Sequence, residues 1–197
     1  MFRRYSIFAT IALGLMGAAP VSAMFPTSTL AATAAESLVE NFHTGLLATM
    51  KQASSLGYAG RVKRLEPLVR RTFALQTMAQ LIVGTDWSSL SAADKKAVVA
   101  AFSKWVVATY ASRFDDYSGE TFVTTGVTDG GRKTSLVNTE IRPQGVKLGY
   151  RVLGGRVVDI YLSGSVSQLA QWRSEFASIM QQQGVKGLIA RMQQLAH

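Results

Sequence analysis

A chain of 197 residues that is 48% hydrophobic and 17% charged can bury one substantial core, is too apolar for disorder, and has no room for two full catalytic domains. With no cysteine and only His43 and His197 as imidazoles, it excludes disulfide scaffolds, thiolate metal centres, cysteine nucleophiles and three-histidine metal sites. The formal net charge is +9, but the basic residues are dispersed rather than gathered with aromatics in one block, which argues against nucleic acid and for anionic lipid or an acidic partner.

Residues 1–23 read as a secretory signal peptide. Arg3-Arg4 form the positive region, residues 7–19 an apolar run of 13, and Pro20-Val21-Ser22-Ala23 a small-residue cleavage site. The run would span about 20 Å as a helix, against roughly 30 Å of hydrocarbon, so cleavage is expected rather than anchoring. Loss of Arg3 and Arg4 lowers the charge to +7. Residues 24–33, rich in Ala, Ser, Thr and Pro, are expected to form a mobile leader, with one domain over 34–197.

The domain reads as helices, then strands, then helices. Over 34–52 the apolar positions Leu38, Phe42, Leu46 and Met50 recur every four residues, with Leu47 beside them. Gly57 and Gly60 break the chain, and Val62, Leu65, Val69 and Phe73 form the next stripe, in which Pro67 predicts a kink or a break. A short helix is expected over 77–83. Ser91 then caps a long one over 92–117 with an apolar stripe of Val98, Phe102, Val106, Tyr110 and Phe114. Asp94 stands where a capping box has Glu, so the helix start is better supported than the reciprocal hydrogen bond.

After Ser118-Gly119 the period changes to two. Segments 121–127, 134–141, 146–153 and 156–162 are β-branched and aromatic, separated by Asp129-Gly130-Gly131, Pro143-Gln144-Gly145 and Gly154-Gly155. They predict a four-stranded antiparallel meander with one buried side, on which Val146, Leu148, Tyr150 and Val152 oppose Lys147 and Arg151. In the last strand Val158, Ile160 and Leu162 alternate with Asp159 and Tyr161. Ser165 or Ser167 caps a helix to about residue 182, Gly184 stops it, and a final helix covers 185–195. The fold class is therefore α+β, a helical layer on a curved four-stranded sheet.

Catalytic motifs are missing. The chain contains no phosphate-binding glycine loop, G-x-S-x-G, H-E-x-x-H or calcium loop. Asp115 and Asp116, adjacent on a helix, point about 100° apart, which disfavours joint acid–base work. Ser165 and Ser167 lack a histidine placed to activate them and read as caps, and His43 reads as a partly buried helix residue.

Four ordered blocks carry a resemblance. They are Gly84-Thr85-Asp86-Trp87-Ser88-Ser89-Leu90-Ser91 with Phe102; Ala108-Thr109-Tyr110-Ala111-Ser112-Arg113-Phe114-Asp115-Asp116-Tyr117-Ser118-Gly119; Val157-Val158-Asp159-Ile160-Tyr161-Leu162-Ser163-Gly164-Ser165-Val166-Ser167; and Arg173-Ser174-Glu175-Phe176 ahead of Gly184-Val185-Lys186-Gly187-Leu188-Ile189. Together they resemble the MlaC, or toluene-tolerance, family of periplasmic lipid-binding proteins. The third and fourth are most similar to its hopanoid-associated HpnM branch, although Trp172 replaces the usual Tyr before the arginine.

The resemblance implies a cone-like, NTF2-like fold and a monomeric periplasmic carrier of phospholipid or hopanoid. No metal or cofactor is expected apart from lipid as cargo. The partners it implies are an inner-membrane ABC-type transporter complex and an outer-membrane lipoprotein. Mapped through apolar positions, the expected pocket is Phe102, Val106, Tyr110 and Phe114 on the long helix with Leu148, Tyr150, Val152, Val158 and Ile160 on the sheet. Asp159 and Arg173 are expected either to pair and fix the last helix or, for Arg173, to hold a lipid phosphate. Two other classes remain: a structural adaptor with a filled core, and an enzyme with a polar constellation in the pocket.

Overall fold

A computed structural model describes residues 27–197; the expected signal peptide and residues 24–26 lie outside the described residues. Helix α1 (Thr27–Met50) already includes residues 27–33, which composition assigned to a mobile leader. Leu30-Ala31-Ala32-Thr33-Ala34 contains good helix formers, and Ala31 and Ala32 lie beside the first β-hairpin. From Ala35 the helix buries Val39, Phe42, Leu46 and Met50, while Leu38 is half-buried at the edge of that face.

Helix α2 (Ala53–Thr72) runs through Pro67; the non-helical backbone inside it is at Gly57, with φ 59° and ψ −178°. Glycine takes this positive φ without the Cβ penalty that other residues meet, so the break falls there rather than at the proline. Buried Arg61 ties α2 across the helical layer, its Nε donating to Ala111 O at 2.8 Å and Nη1 to Ala53 O at 3.2 Å. Helix α3 (Leu75–Val83) leads through a 3-10 turn, Gly84–Ser89, to α4 (Ala92–Arg113).

Ser91 caps α4 as expected, its Oγ accepting Asp94 N–H at 3.0 Å. The Asp94 carboxylate accepts the Ser91 hydroxyl at 2.7 Å, so the shorter acid meets the cap's side chain instead of its backbone N–H. Helix α4 is buried around most of its circumference because α2 packs on one side and α5 (Gln168–Leu195) on another. Gly184, with φ 62°, breaks α5 where the sequence places a stop. Among the described residues no helix is long and apolar enough to cross a membrane.

The sheet is antiparallel in the order β1 (Thr121–Gly131), β2 (Thr134–Arg142), β3 (Val146–Leu153), β4 (Arg156–Leu162) and β5 (Val166–Ser167). It has five strands rather than four. The extra one is a two-residue edge strand formed by residues expected only to cap the last helix, with Tyr161 paired to Ser167 and Leu162 to Val166. The first turn also moves. Strand β1 continues through Gly131, and Arg132 and Lys133 make the two-residue connection with φ of 51° and 63°.

One irregularity sets the chemistry of the inner face. Arg151 pairs with Asp159 but Val152 pairs with Val157, leaving Val158 as the extra residue of a β-bulge. Val157 is fully buried in the core, where simple alternation assigned Val158. Below the bulge Ile160 pairs with Tyr150 and Leu162 with Leu148, so those four share one face. Helix α1 packs against β1 and β2, and α5 against β4.

Candidate functional site

Between the inner face of the sheet and the end of α4 lies an apolar cavity of about 90 Å3. Its helical wall is Val106, Tyr110 and Phe114, its sheet wall is Leu148, Tyr150, Ile160 and Leu162, and Trp172 of α5 closes one side. Six of the nine expected pocket residues, Val106, Tyr110, Phe114, Leu148, Tyr150 and Ile160, therefore meet here.

Phe102, Val152 and Val158 do not line it. Phe102 is drawn into an aromatic cluster between α4 and α5, with ring centroids 5.8 Å from Trp105 and 6.0 Å from Trp172. Trp105 in turn lies 4.9 Å from Trp172 and 5.1 Å from Phe176. Such edge-on packing seals the interhelical seam and leaves Phe102 no surface toward the sheet. Val152 is part of the packed core, and Val158 is buried at the bulge, outside that core.

The polar residues of the rim were not among the expected ones. Thr109, Arg113 and Gln168 line the cavity beside the apolar wall. The periodicity could have found two of them, because Thr109 and Arg113 stand three and seven residues after Val106 and so share its helical face. Gln168 was hidden by the edge strand that redirects the chain into α5. A surface groove of about 530 Å3 adjoins the cavity, sharing Thr109, Arg113, Leu162, Gln168 and Trp172 with it and adding Gln171, Glu175 and Arg191.

Asp159 and Arg173 are not a pair. The buried Asp159 carboxylate accepts Ile160 N–H at 2.8 Å, Leu169 N–H at 3.1 Å and the Ser167 hydroxyl at 2.7 Å, so it holds the start of α5 to β4. Ser167, rather than Ser165, is the N-cap, its Oγ accepting Ala170 N–H at 3.0 Å. Arg173 is exposed and its guanidinium lies against Gly84, where an added Cβ would stand 2.8 Å from Nη2. It borders neither the cavity nor its groove.

Behind the cavity wall, Tyr150 shares a 3.0 Å hydrogen bond with Nε2 of His43, whose ring stacks on Phe122 at 4.3 Å. Burial lowers the His43 pKa to about 4, so the imidazole is neutral in the folded chain near neutrality. Burial also pushes both phenols, Tyr110 and Tyr150, well up, so both stay protonated. The two phenols are thus neutral hydroxyl groups in an apolar wall. Among the described residues no group of three or more His, Asp or Glu is placed to hold a metal ion.

The depressed histidine has a consequence for stability. Unfolded, His43 would protonate near its ordinary 6.5, and folded only near 4, so between those values the unfolded state binds more protons and stability is lost as the pH is lowered. Urea unfolding at pH 5 should show about 2 kcal/mol less stability than at pH 7 from this group. His43→Gln should flatten that difference, and an unchanged slope would mean His43 is solvated.

Comparison with known proteins decides the lineage. A family model for the MlaC protein matches residues 40–194, most of the chain and all of the cavity wall. The chain belongs to the MlaC family. No curated protein matches it in sequence. Among solved structures, a phospholipid-binding protein from Ralstonia solanacearum in complex with a phospholipid superposes with a TM-score of 0.71 at 19% identity, covering 82% of this chain and 96% of that one. The MlaC fold is thus shared with that protein: helices on an antiparallel sheet.

Proposed function

We propose that this MlaC-family chain is a non-catalytic lipid carrier that holds the acyl tails of a phospholipid between α4 and the sheet. The observation that carries the reading is the apolar cavity where the long helix, the sheet and α5 converge, opening beside a polar groove. Membership of the family, and the phospholipid held by a protein of the same fold, support it. At about 0.8 kcal/mol for each methylene kept from water, an apolar cavity offsets the cost of tails leaving a bilayer, so they can be held in transit without a special polar contact. No reactive side chain is needed.

The cavity of about 90 Å3 is well below the roughly 300–1,000 Å3 of ordinary ligand sites. A carrier must therefore widen it, which a shift of the helical layer against the sheet would do without breaking a strand. The carrier would work in the periplasm after removal of residues 1–23. It would exchange phospholipid, or a hopanoid if the HpnM likeness holds, with an ABC-type transporter complex of the inner membrane and a lipoprotein of the outer one.

The small cavity also supports a second reading, a structural adaptor whose core is simply filled. Solvent extraction of the mature protein, purified without detergent, separates the two. A carrier should release near one lipid per chain by mass spectrometry, and trace amounts would favour the adaptor.

A further inference from the structure

We propose that the groove between α4 and α5 is a phosphodiester site in which Arg113 holds the phosphate of a lipid whose tails enter the adjoining cavity. The inference rests on the carrier reading and names the part of the ligand that stays outside. Arg113 is the last residue of α4 and belongs to both linings, so it stands where apolar wall gives way to polar groove. Its guanidinium is exposed. The ion pairs among the described residues are Arg70 with Glu66 and Arg142 with Glu140, which leaves Arg113 with no carboxylate to neutralise it.

Two further observations point the same way. Gln168, only 7% exposed, also borders both spaces and donates its amide to Gln171 Oε1 at 3.1 Å, so a polar pair stands beside Arg113 where the apolar wall ends. The groove also holds Arg191 against the single acid Glu175, leaving one net positive charge, which matches a phosphodiester monoanion. Guanidinium binds phosphate oxygens through two parallel N–H donors, a geometry that ammonium cannot reproduce. Deeper than Arg113 and Gln168 the cavity is poorly suited to that charge: it offers neutral phenols and the Thr109 hydroxyl, which already donates to Trp105 O at 2.9 Å. A lipid in this site is therefore oriented tails inward, phosphate at Arg113.

The experiment loads the mature protein from vesicles containing either a phosphatidyl lipid or diacylglycerol with the same acyl chains, and measures the lipid retained. Arg113→Gln should weaken phosphatidyl-lipid retention about tenfold or more and leave diacylglycerol unchanged, since only the first has a phosphate. Arg113→Lys should recover part of the loss, and Arg173→Gln, outside the groove, should match the wild type for both lipids. Equal loss of both lipids in Arg113→Gln would make Arg113 a structural residue and overturn the proposal, as would undiminished phosphatidyl-lipid retention. Inorganic phosphate is the second probe. If it binds through Arg113 while Arg113→Gln leaves phosphatidyl-lipid retention intact, the groove is a free-phosphate site and the lipid assignment is overturned. A wild-type protein that retains neither lipid would refute the carrier reading itself, and the headgroup assignment with it.

Discussion

Ile160→Asp and Leu148→Asp should each abolish lipid retention, lowering occupancy by at least tenfold, while Val106→Phe should do the same without adding a charge. Ile160 and Leu148 are each 8% exposed and stand on adjacent strands of the sheet wall, Ile160 paired with Tyr150 and Leu148 with Leu162. A carboxylate there costs several kcal/mol unless it protonates or recruits water, and either outcome replaces the apolar surface on which tails would lie. Val106, 1% exposed, lies on the opposite wall, and a phenyl ring in its place would occupy most of a space of about 90 Å3. Circular dichroism would establish that each variant folds, and extraction followed by mass spectrometry would count the lipid. Full occupancy in folded Ile160→Asp and Val106→Phe together would place the tails elsewhere.

Asp159→Ala should be the most damaging single substitution outside the cavity, costing about 3–5 kcal/mol of stability. The carboxylate is 7% exposed and accepts from two backbone N–H groups and a hydroxyl, drawn from β4, β5 and the first turn of α5. Removing it orphans Leu169 N–H and frees the Ser167 hydroxyl that caps the helix, so one change loosens three elements. Asp159→Asn, which keeps one acceptor oxygen, should lose less. Arg173→Ala, on an exposed side chain against Gly84, should stay within about 0.5 kcal/mol of the wild type, and the double variant should be additive. Urea unfolding midpoints measure all of this. A loss below about 1 kcal/mol for Asp159→Ala, or a double variant less damaged than the sum, would restore the Asp159–Arg173 pair.

The long helix shows how far a one-dimensional pattern reaches. Val106, Tyr110 and Phe114 follow a four-residue period, share a face and line the cavity, while Phe102, in the same period, packs into Trp105 and Trp172 instead. Periodicity assigns a residue to a face, but the neighbour that face meets changes along a helix of 22 residues, from α5 near its middle to the sheet at its end. Sequence alternation likewise placed Ile160 and Leu162 correctly and Val158 wrongly, because the bulge depends on how β4 registers against β3. That register is a relation between strands, invisible in either one alone.

The sequence by itself determined the α+β class, the order of helices and strands, the breaks at Gly57 and Gly184, the Ser91 cap and the family, because each follows from local backbone preference, from hydrophobic period or from contiguous motifs. Tertiary structure alone decided the edge strand β5, the partners of Asp159, the exclusion of Phe102, Val152 and Val158 from the cavity, and the position of Arg113 between cavity and groove. Those features arise where elements distant in sequence compete for the same volume or the same hydrogen-bond donors, and only the folded chain sets which of them win.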